Sequence, residues 1–351
     1  MNKAIVITSI SSPDNKVLQD YAQKATKYGF HFIVAGDDKS PADFKLDGCR
    51  FLSLNEQLAS GFELAKQLPV RHYARKNLGY LTAMQNGADM IIETDDDNFA
   101  KASFWDKRQI NVQARHYENT GWFNIYRLFS DENIWPRGFS LEHIKETPFK
   151  RDDYFRQNQD FSLEHVSVTQ DTLQQCYCPV QQGLADRNPD VDALYRMISP
   201  LPVKFKEAPD VALGRNAWCP FNSQNTTWFR EAFMLMYLPS YCSFRMTDIW
   251  RSFVVQRIGW ENDWPVLFHK ATVWQERNEH NLLADFQDEL PGYIHNNEII
   301  KRLGNLKLPK GRTYFPDNLL ACYRLFIELD LMDKNELNLI HSWIRDINAL
   351  F

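Results

Sequence analysis

The chain has 351 residues, of which 44% are hydrophobic and 14% aromatic, and its formal net charge at pH 7 is −5. This composition predicts one large or two moderate packed cores and excludes a disordered chain. The small acidic charge excludes a dominant basic field, so we expect no nucleic-acid partner.

The cysteines and the first residues favour a reducing compartment. The six cysteines are scattered, and Cys176 and Cys178 form a CxC pair instead of the CxxC spacing of zinc and redox sites. Residues 1–10 lack the apolar region and cleavage site of a signal peptide, and no stretch reaches the roughly 18 apolar residues of a membrane span. We therefore expect a cytoplasmic protein with no transmembrane segment, and peripheral contact with the inner membrane surface is a second option.

The first hundred residues alternate between apolar runs and helical patterns, which predicts an α/β fold with parallel strands. The apolar run at 4–10 is typical of a central strand covered on both faces. Further strands are predicted at 30–35, 48–54 and 89–94, and helices at 15–28 and about 74–87. Ligands collect at the carboxyl ends of such strands. The polar residues at the carboxyl ends of three of these strands should therefore meet at one edge of the sheet: Thr8, Ser9, Asp37 and Asp95–Asp97.

Three consecutive carboxylates, Asp95–Asp97, follow the strand predicted at 89–94. They repel one another, so a fold that holds them together usually supplies a cation or strong donors. In an extended segment Asp95 and Asp97 would point the same way, with Asp96 opposite. Together with substrate phosphates, two such carboxylates predict an all-oxygen site for Mg²⁺ or Mn²⁺. The alternative is an exposed acidic turn.

The second half of the chain is less regular, with helices predicted in two places. A helix-like run covers 246–258. A basic stretch at 301–312, broken by Gly and Pro, predicts a connector, and a helical hairpin follows from Pro316. Asp333 and Glu336 have the spacing of a capping box for the second helix of this hairpin.

Several segments in combination resemble the STELLO-type glycosyltransferases, and the resemblance covers about residues 4–280. The segments are VITSI at 6–10, GDDKSP at 36–41, HYARKNLGY at 72–80, ETDDDN at 93–98, WPRG at 135–138, GLAD at 183–186, PDVDA at 189–193 and PFNSQNT at 220–226. The resemblance implies a GT-A fold, the α/β fold of nucleotide-diphospho-sugar transferases. Its central sheet would be mixed and mostly parallel, and helices would flank it.

The same resemblance suggests how the chain is divided. A GT-A domain would span 1–300, with its nucleotide-binding half at about 1–100 and its acceptor half at about 101–300. The basic connector and the C-terminal helical hairpin would form 301–351.

A weaker similarity runs to the reversibly glycosylated polypeptides, which act as UDP-arabinopyranose mutases. It rests on Asp95–Asp97, the RGFSL segment at 137–141 and the PDVDA segment at 189–193. In that family an arginine of the RGFSL-like segment accepts the sugar, and Arg137 would be its counterpart. The segment is shorter here, with Phe in place of the Tyr-Pro-Phe of that family. The similarity nevertheless implies an alternative, a self-glycosylating protein or nucleotide-sugar mutase that uses Arg137.

The resemblance to the STELLO-type proteins implies a nucleotide-sugar donor, most simply a UDP-sugar, and a Mn²⁺ or Mg²⁺ ion that neutralises the leaving diphosphate. The metal ligands implied are Asp95, Asp97 and His280. Asp97 would bind the ion directly, and Asp95 would contact the ribose or a metal-bound water. Asp96 would be the structural member of the triplet, next to the nucleotide.

Residues from other segments would complete the nucleotide pocket. Thr8 and Ser9 would line the nucleoside, and Asp37 would accept from ribose hydroxyls or a base N–H, unless these residues only make ordinary turns. Arg75 and Lys76 lie near a predicted helix start, where cations oppose the macrodipole. They would bind the diphosphate or pair with the aspartates.

Three carboxylates are candidates for the acceptor side. Asp248 begins a predicted helix, where an acidic residue often serves as the catalytic base in GT-A enzymes, although it could also be only a cap. Asp190 and Asp192 would bind acceptor or sugar hydroxyls, or else belong to an exposed acidic loop.

The function implied is a metal-dependent glycosyltransferase that moves a sugar from a nucleotide-diphosphate donor to a hydroxyl. The acceptor would be a glycan, a lipid-linked molecule or a small molecule, in a setting such as surface polysaccharide synthesis. The alternative of another class is a non-catalytic scaffold that binds nucleotide-sugar within a polysaccharide synthase complex.

Overall fold

A computed structural model describes residues 1–145, 172–276 and 281–351. The strands in these ranges are β1 (Lys3–Thr8), β2 (Phe30–Ala35), β3 (Cys49–Leu52), β4 (Met90–Thr94), β5 (Asn98–Ala100), β6 (Asn111–Tyr117), β7 (Gly121–Trp122), β8 (Gln174–Tyr177), β9 (Val180–Asp186), β10 (Val211–Leu213), β11 (Ala217–Trp218), β12 (Asn225–Phe229) and β13 (Val266–Gln275). The α-helices are α1 (Lys16–Tyr28), α2 (Leu54–Ala59), α3 (Glu63–Gln67), α4 (Lys76–Gln85), α5 (Tyr126–Phe129), α6 (Ala193–Ile198), α7 (Thr247–Trp260), α8 (Leu282–Asn305), α9 (Phe315–Glu328) and α10 (Glu336–Leu350).

One large mixed sheet organises the molecule, with the strand order β3-β2-β1-β4-β12-β9-β13-β10-β6-β8. The first four strands in this order are parallel. The next strand, β12, is antiparallel to both β4 and β9. Strand β5 pairs with the end of β13, and β7 and β11 form a separate parallel pair. The predicted α/β class is thus confirmed, with a mixed central sheet, flanking helices and a C-terminal helical hairpin.

The central position of β1 follows from its apolar sequence. Because side chains alternate along a strand, Ala4 and Val6 pack into one hydrophobic core, and Ile5 and Ile7 pack into the core on the opposite face. A strand buried on both faces needs apolar residues at every position. The predicted strand at 4–10 is shorter in the structure, since β1 ends at Thr8.

The helix that follows β1 begins and ends as its sequence indicates. Asn15 caps α1 by accepting hydrogen bonds from the backbone N–H groups of Val17 and Leu18. Gly29, with φ of 68°, closes the helix in the left-handed conformation that glycine adopts without steric cost.

The C-terminal hairpin, α9 and α10, is bound to the first half of the chain. The carboxylate of Asp346 in α10 accepts hydrogen bonds from the first backbone amides of α3, those of Glu63 (2.8 Å) and Leu64 (2.9 Å). Trp343 also donates to the carbonyl of Met234 at 2.9 Å. The hairpin is therefore part of the packed molecule.

Two predictions about this C-terminal region are wrong. Helix α8 continues through Lys301 and Arg302 to Asn305, so the predicted connector is helical in its first part. The capping box is also absent, because Glu336 is fully buried and its carboxylate accepts from the backbone amides of Ser240 (3.0 Å) and Tyr241 (2.7 Å). Burial of this carboxylate against a distant loop overrides the local capping pattern.

Among the helices of the described ranges, none is long and apolar enough to cross a membrane.

Candidate functional site

A cavity of about 410 Å³ opens at the carboxyl ends of β1 and β4. It contains most of the carboxylates predicted from the sequence. The predicted residues that line it are Thr8, Ser9, Asp37, Asp95, Asp96, Asp97, Asp190 and Asp248, together with Arg137 of the mutase alternative. Lys76 reaches it through Asp95, Arg75 and Asp192 do not line it, and His280 lies outside the described residues.

The aspartate triplet leaves the strand sooner than predicted. Strand β4 ends at Thr94, and Asp96 and Asp97 form a turn before β5. The strict alternation expected of an extended segment is therefore wrong, and all three carboxylates line the same cavity. Their different hydrogen-bond partners, instead of strand geometry, distinguish them.

Asp95 is held by a buried cation. The Nζ of Lys76, which is fully buried, lies 2.8 Å from Asp95 Oδ1 and 2.7 Å from the hydroxyl of Tyr73. Tyr73 donates to the same carboxylate oxygen at 2.8 Å. Burial raises the pKa of Asp95, and Lys76 and Tyr73 oppose this by stabilising its charge. Of the two roles predicted for Lys76, diphosphate binding or pairing with the aspartates, the structure shows the pairing.

Asp96 accepts hydrogen bonds from the segment that joins β1 to α1. Its carboxylate accepts hydrogen bonds from the hydroxyls of Ser9 and Ser11, the latter at 2.8 Å. Its backbone carbonyl accepts from the side-chain amide of Asn15 at 3.0 Å. These contacts join the end of β4 to the start of α1.

Asp97 accepts hydrogen bonds at its carboxylate and at its backbone carbonyl. Its two carboxylate oxygens accept from the side-chain amides of Asn98 and Gln275, each at 2.8 Å. Its backbone carbonyl accepts from the N–H of Glu276 at 3.1 Å. The turn that holds Asp97 is therefore fixed to the end of β13.

The predicted nucleoside side of the cavity is built from the ends of β1 and β2. The hydroxyl of Thr8 and the backbone N–H of Ser9 both donate to the carbonyl of Ala35 at 3.0 Å. The carboxylate of Asp37 accepts from its neighbour's amide at 2.7 Å and from the amide of His72 at 3.0 Å. Asp37 thus makes a hydrogen bond typical of a turn, and it also lines the cavity.

Arg75 points away from the cavity. Its Nε donates to Gln57 at 2.7 Å and its Nη1 donates to the carbonyl of Leu68 at 3.1 Å. The side chain is 1% exposed. The structure therefore does not bring Arg75 to the position expected of a diphosphate ligand.

Arg137 organises the opposite wall of the cavity. Its Nε and Nη2 donate to the two carboxylate oxygens of Asp190 at 2.8 Å, and Nη2 also lies 3.1 Å from both oxygens of Asp248. Its Nη1 donates to the carbonyl of Arg245. Burial disfavours the charge of Arg137, but the two carboxylates outweigh it and raise the pKa of this guanidinium.

Asp248 lies in the first turn of α7, as predicted. Besides Arg137, its carboxylate accepts from the backbone N–H and the hydroxyl of Ser223, both at 3.1 Å. Burial works against its ionisation, but Arg137 and Arg251 outweigh this and lower the pKa of Asp248. It is thus an ionised acceptor at neutral pH.

Asp192 is a cap and lies outside the site. Its carboxylate accepts from the backbone amide of Tyr195 at 2.7 Å, which caps α6, and from the indole N–H of Trp135 at 2.7 Å. The residue is fully buried, and burial raises its pKa to about 7. The sequence could not separate it from Asp190, because both lie in the same short acidic segment.

Several residues of the cavity carried no role in the sequence analysis. They are Tyr73, Phe244, Arg245 and Gln275, and Ser223 adjoins the cavity through its hydrogen bond to Asp248. Tyr73 lies within the HYARKNLGY segment, so the resemblance could have singled it out. Ser223 lies within the PFNSQNT segment, which also belongs to the resemblance. Phe244, Arg245 and Gln275 come from distant parts of the chain, and no local pattern marks them.

The residues present fit a divalent ion only in part. Asp95 and Asp97 bring carboxylate oxygens, the ligands that Mg²⁺ and Mn²⁺ prefer, to one cavity. Within the described ranges, however, no group of three or more His, Cys, Asp or Glu side chains is placed to hold a metal ion. An ion held by Asp95 and Asp97 would therefore need further oxygens from a bound diphosphate.

The fold and the cavity together define a class. A parallel β3-β2-β1-β4 block, an antiparallel strand beside β4 and an aspartate-lined cavity at the strand ends are the arrangement of the GT-A type of nucleotide-diphospho-sugar transferase fold. Within that class, the model of the STELLO glycosyltransferases matches residues 245–351.

Relatives in Arabidopsis thaliana extend this match over most of the chain. Probable glycosyltransferase STELLO2 is 28% identical over 338 residues, which cover 91% of this chain and 41% of the relative. Probable glycosyltransferase STELLO1 is 26% identical over 341 residues, covering 92% of this chain and 42% of the relative. The resemblance predicted from the sequence is confirmed, and the chain spans about two fifths of the length of these relatives.

Two solved structures also align with 87% of this chain, each with a TM-score of 0.41. One is a mycobacterial protein, 10% identical and covered over 76% of its length. The other is the M. tuberculosis glucosyl-3-phosphoglycerate synthase, 9% identical and covered over 82%.

Proposed function

We propose that this protein is a metal-dependent glycosyltransferase that moves a sugar from a nucleotide-diphosphate donor, a UDP-sugar in the first instance, to a hydroxyl acceptor. One observation carries the proposal: a single cavity brings Asp95–Asp97 and Asp37 together with the Arg137–Asp190–Asp248 cluster. One wall has the groups that a nucleotide donor needs, and the facing wall has carboxylates that a hydroxyl can approach. The similarity to probable glycosyltransferases supports the same reaction class.

On the donor side, Asp97 and Asp95 would hold a Mn²⁺ or Mg²⁺ ion. When bound, the ion would supply Lewis-acid neutralisation of the leaving diphosphate. Lys76 and Tyr73 fix the position of Asp95 at 2.8 Å each. Asp37, 8% exposed at the nucleoside side, would accept a hydrogen bond from a ribose hydroxyl.

On the acceptor side, Asp248 would accept the hydrogen bond and then the proton of the attacking hydroxyl. Because its pKa is lowered, Asp248 stays ionised and its carboxylate can accept a hydrogen bond from the acceptor hydroxyl. Arg137 and Ser223 hold the carboxylate in place, which limits its motion during the attack. Asp190 shares Arg137 with Asp248 and would bind a second hydroxyl of the acceptor or of the transferred sugar.

The geometry disfavours self-glycosylation at Arg137. Attack on a sugar carbon needs a nitrogen lone pair, which a protonated guanidinium lacks. Asp190 and Asp248 raise the pKa of Arg137, and the side chain is only 6% exposed. Arg137 is thus suited to hold two carboxylates, and not to act as a nucleophile.

A screen of nucleotide sugars tests the proposal. Wild type is incubated with each donor and Mn²⁺, and released nucleotide and the intact mass of the protein are both measured. We expect hydrolysis or transfer with at least one donor, loss of this activity and of Mn²⁺-dependent UDP binding in Asp97→Asn, and no change in Asp43→Asn, which alters an exposed aspartate outside the cavity.

The other outcomes each contradict the proposal in a distinct way. Unchanged metal-dependent UDP binding in Asp97→Asn would refute the assignment of the metal site. Normal UDP binding without hydrolysis of any donor would favour the scaffold alternative. A sugar adduct on Arg137 would favour the mutase alternative.

A further inference from the structure

A second polar cavity, of about 500 Å³, lies against the part of the sheet that contains β6, β8, β9 and β13. It is lined by β9 and β13, by β6, and by the segment 103–109. It shares no lining residue with the cavity of the proposed donor site. His269 in this cavity and Gln275 in the first are six residues apart in β13, which is roughly 20 Å along a strand.

His269 presents a hydrogen-bond acceptor to this cavity. Its side chain is 8% exposed, and Nδ1 lies 3.0 Å from the carbonyl of Lys270. A carbonyl can only accept, so Nδ1 carries the proton and Nε2 has a lone pair. Burial lowers the pKa of His269 to about 3, so the ring stays neutral. In the part of the chain that the structure describes, no group donates to Nε2.

Asp210 and Arg108 add an acceptor and a donor to the same cavity. The half-buried carboxylate of Asp210 has no hydrogen-bond partner within the described ranges, and its pKa of about 6, raised by burial, leaves it largely ionised at neutral pH. Arg108 donates from Nη1 and Nη2 to backbone carbonyls of residues 103–106. Its buried Nε–H finds no partner among the described residues.

The charges around His269 and Asp210 select the class of ligand. A metal ion would be repelled by Arg108 and Lys270, and the described residues supply no third ligand of the usual types. An anion would meet the Asp210 carboxylate and the lone pair of His269, while Lys270 is engaged with Glu207 at 3.1 Å. The two other charged residues of the lining, Asp106 and Lys107, have opposite signs and add no net charge. A neutral molecule with several hydroxyls can donate to both acceptors and accept from Arg108, so it is favoured.

Much of the remaining lining is polar and uncharged, with amide and hydroxyl groups from Ser103, Gln109, Gln113, Gln175, Gln181 and Thr272. Some of these groups already pair within the protein: Gln113 donates to Gln175 at 2.7 Å, and the amide of Gln181 donates to the carbonyls of Gln109 and Cys178. Such groups exchange hydrogen bonds with sugar hydroxyls as readily as with water.

We propose that this cavity binds a neutral carbohydrate, held by Asp210, His269 and Arg108, at a site separate from that of the sugar donor. The inference does not depend on the proposed reaction, because it rests on a different cavity. Its ligand class is defined by hydroxyl groups without charge, such as a neutral oligosaccharide.

Binding of defined oligosaccharides tests this inference. Maltohexaose, xylohexaose and chitohexaose are titrated into wild type by calorimetry and by saturation-transfer NMR, with an oligogalacturonate of similar length as the charged comparison. The variants are Asp210→Ala and His269→Leu, and the control is Asp97→Asn in the other cavity.

We expect at least one neutral oligosaccharide to bind wild type and Asp97→Asn with the same Kd. The Kd should rise at least about tenfold in Asp210→Ala, as expected for loss of a hydrogen bond to a charged group. If His269→Leu fails to fold, Asp210→Ala decides, because its carboxylate makes no hydrogen bond within the described ranges. The proposal is overturned if no neutral oligosaccharide binds, if only the charged one binds, if Asp210→Ala leaves Kd unchanged, or if Asp97→Asn is the variant that weakens binding.

Discussion

Glu93 and Arg251 form a fully buried ion pair with two contacts: Nη2 of the arginine lies 2.7 Å from Oε1, and Nη1 lies 3.1 Å from Oε2. The indole of Trp228 also donates to this carboxylate, at 2.8 Å. Glu93 lies two residues before Asp95, and Arg251 lies three residues after Asp248. The pair therefore fixes the strand that carries the aspartates relative to the helix on the acceptor side.

Replacing Glu93 by Gln should destabilise the fold strongly. Arg251 would keep its charge in the core without a partner, which costs about 3–5 kcal/mol in comparable cases. Urea denaturation measures the loss in the free energy of unfolding. The matched control is Glu63→Gln, which removes a pair with Arg345 that is half exposed and should change stability by about 1 kcal/mol or less. Equal losses in the two variants would contradict the role assigned to the buried pair.

The stability of the protein should depend on pH through Asp192. Burial raises its pKa from 3.8 to about 7, and Glu289 adds to this while Arg196 opposes it. The folded state therefore binds this proton more tightly than the unfolded state. The resulting stabilisation is complete below pH 3.8 and is lost as the pH rises through about 7.

Asp192→Asn isolates this effect. Asparagine keeps the cap oxygen but cannot ionise, and loss of the acceptor for Trp135 costs about 1 kcal/mol at every pH. In urea denaturation across this pH range, the free energy of unfolding of wild type should fall relative to that of the variant. Asp43→Asn, at an exposed position, should show no such trend. A difference between wild type and Asp192→Asn that stays constant with pH would disprove the assignment.

Glu336→Ala should loosen the loop that forms part of the cavity wall. The carboxylate accepts from the amides of Ser240 and Tyr241, and this loop continues to Phe244 in the cavity lining. We expect exchange of these two amides with deuterium to accelerate by about tenfold or more, since their acceptor is lost. Hydrogen-exchange mass spectrometry measures this. Glu328→Ala, at an exposed position of α9, is the control, and equal exchange in both variants would refute the prediction.

Gly138 should not tolerate a side chain. Its φ is +82°, and an added methyl group would overlap Cγ2 of Ile249 in α7. Gly138→Ala should therefore displace Arg137 and cost more than the roughly 1 kcal/mol of backbone strain alone. Gly61→Ala is the control, because its φ is +86° and nothing lies within 4 Å of the added methyl. Thermal denaturation of both variants compares the costs, and similar melting temperatures would count against the overlap.

Local patterns predicted the parts of the fold that depend on near neighbours. The apolar run of β1 and the helical pattern of α1 depend on residues within a few positions, so the sequence shows both. The cluster of Asp37 and Asp95 was also predictable, because parallel strands bring their carboxyl ends to one edge.

What the sequence missed depends on distant partners. Arg137 binds Asp248 across 111 positions, and nothing near either residue indicates the pair. Glu336 has the spacing of a capping box, yet the gain from distant backbone donors decides its orientation. Asp192 and Asp190 belong to the same segment, and only the packing of Trp135 against one of them separates a cap from a cavity residue.

The bond from Asp346 to the amides of Glu63 and Leu64 spans more than 280 positions. Contacts across such separations make folding slow and bind remote segments into one cooperative unit. Helices α10 and α3 therefore depend on each other. A recombinant whose hairpin lacked a carboxylate at position 346 would leave two helix-start amides of α3 without their acceptor, so such an exchange should succeed only if the carboxylate is kept.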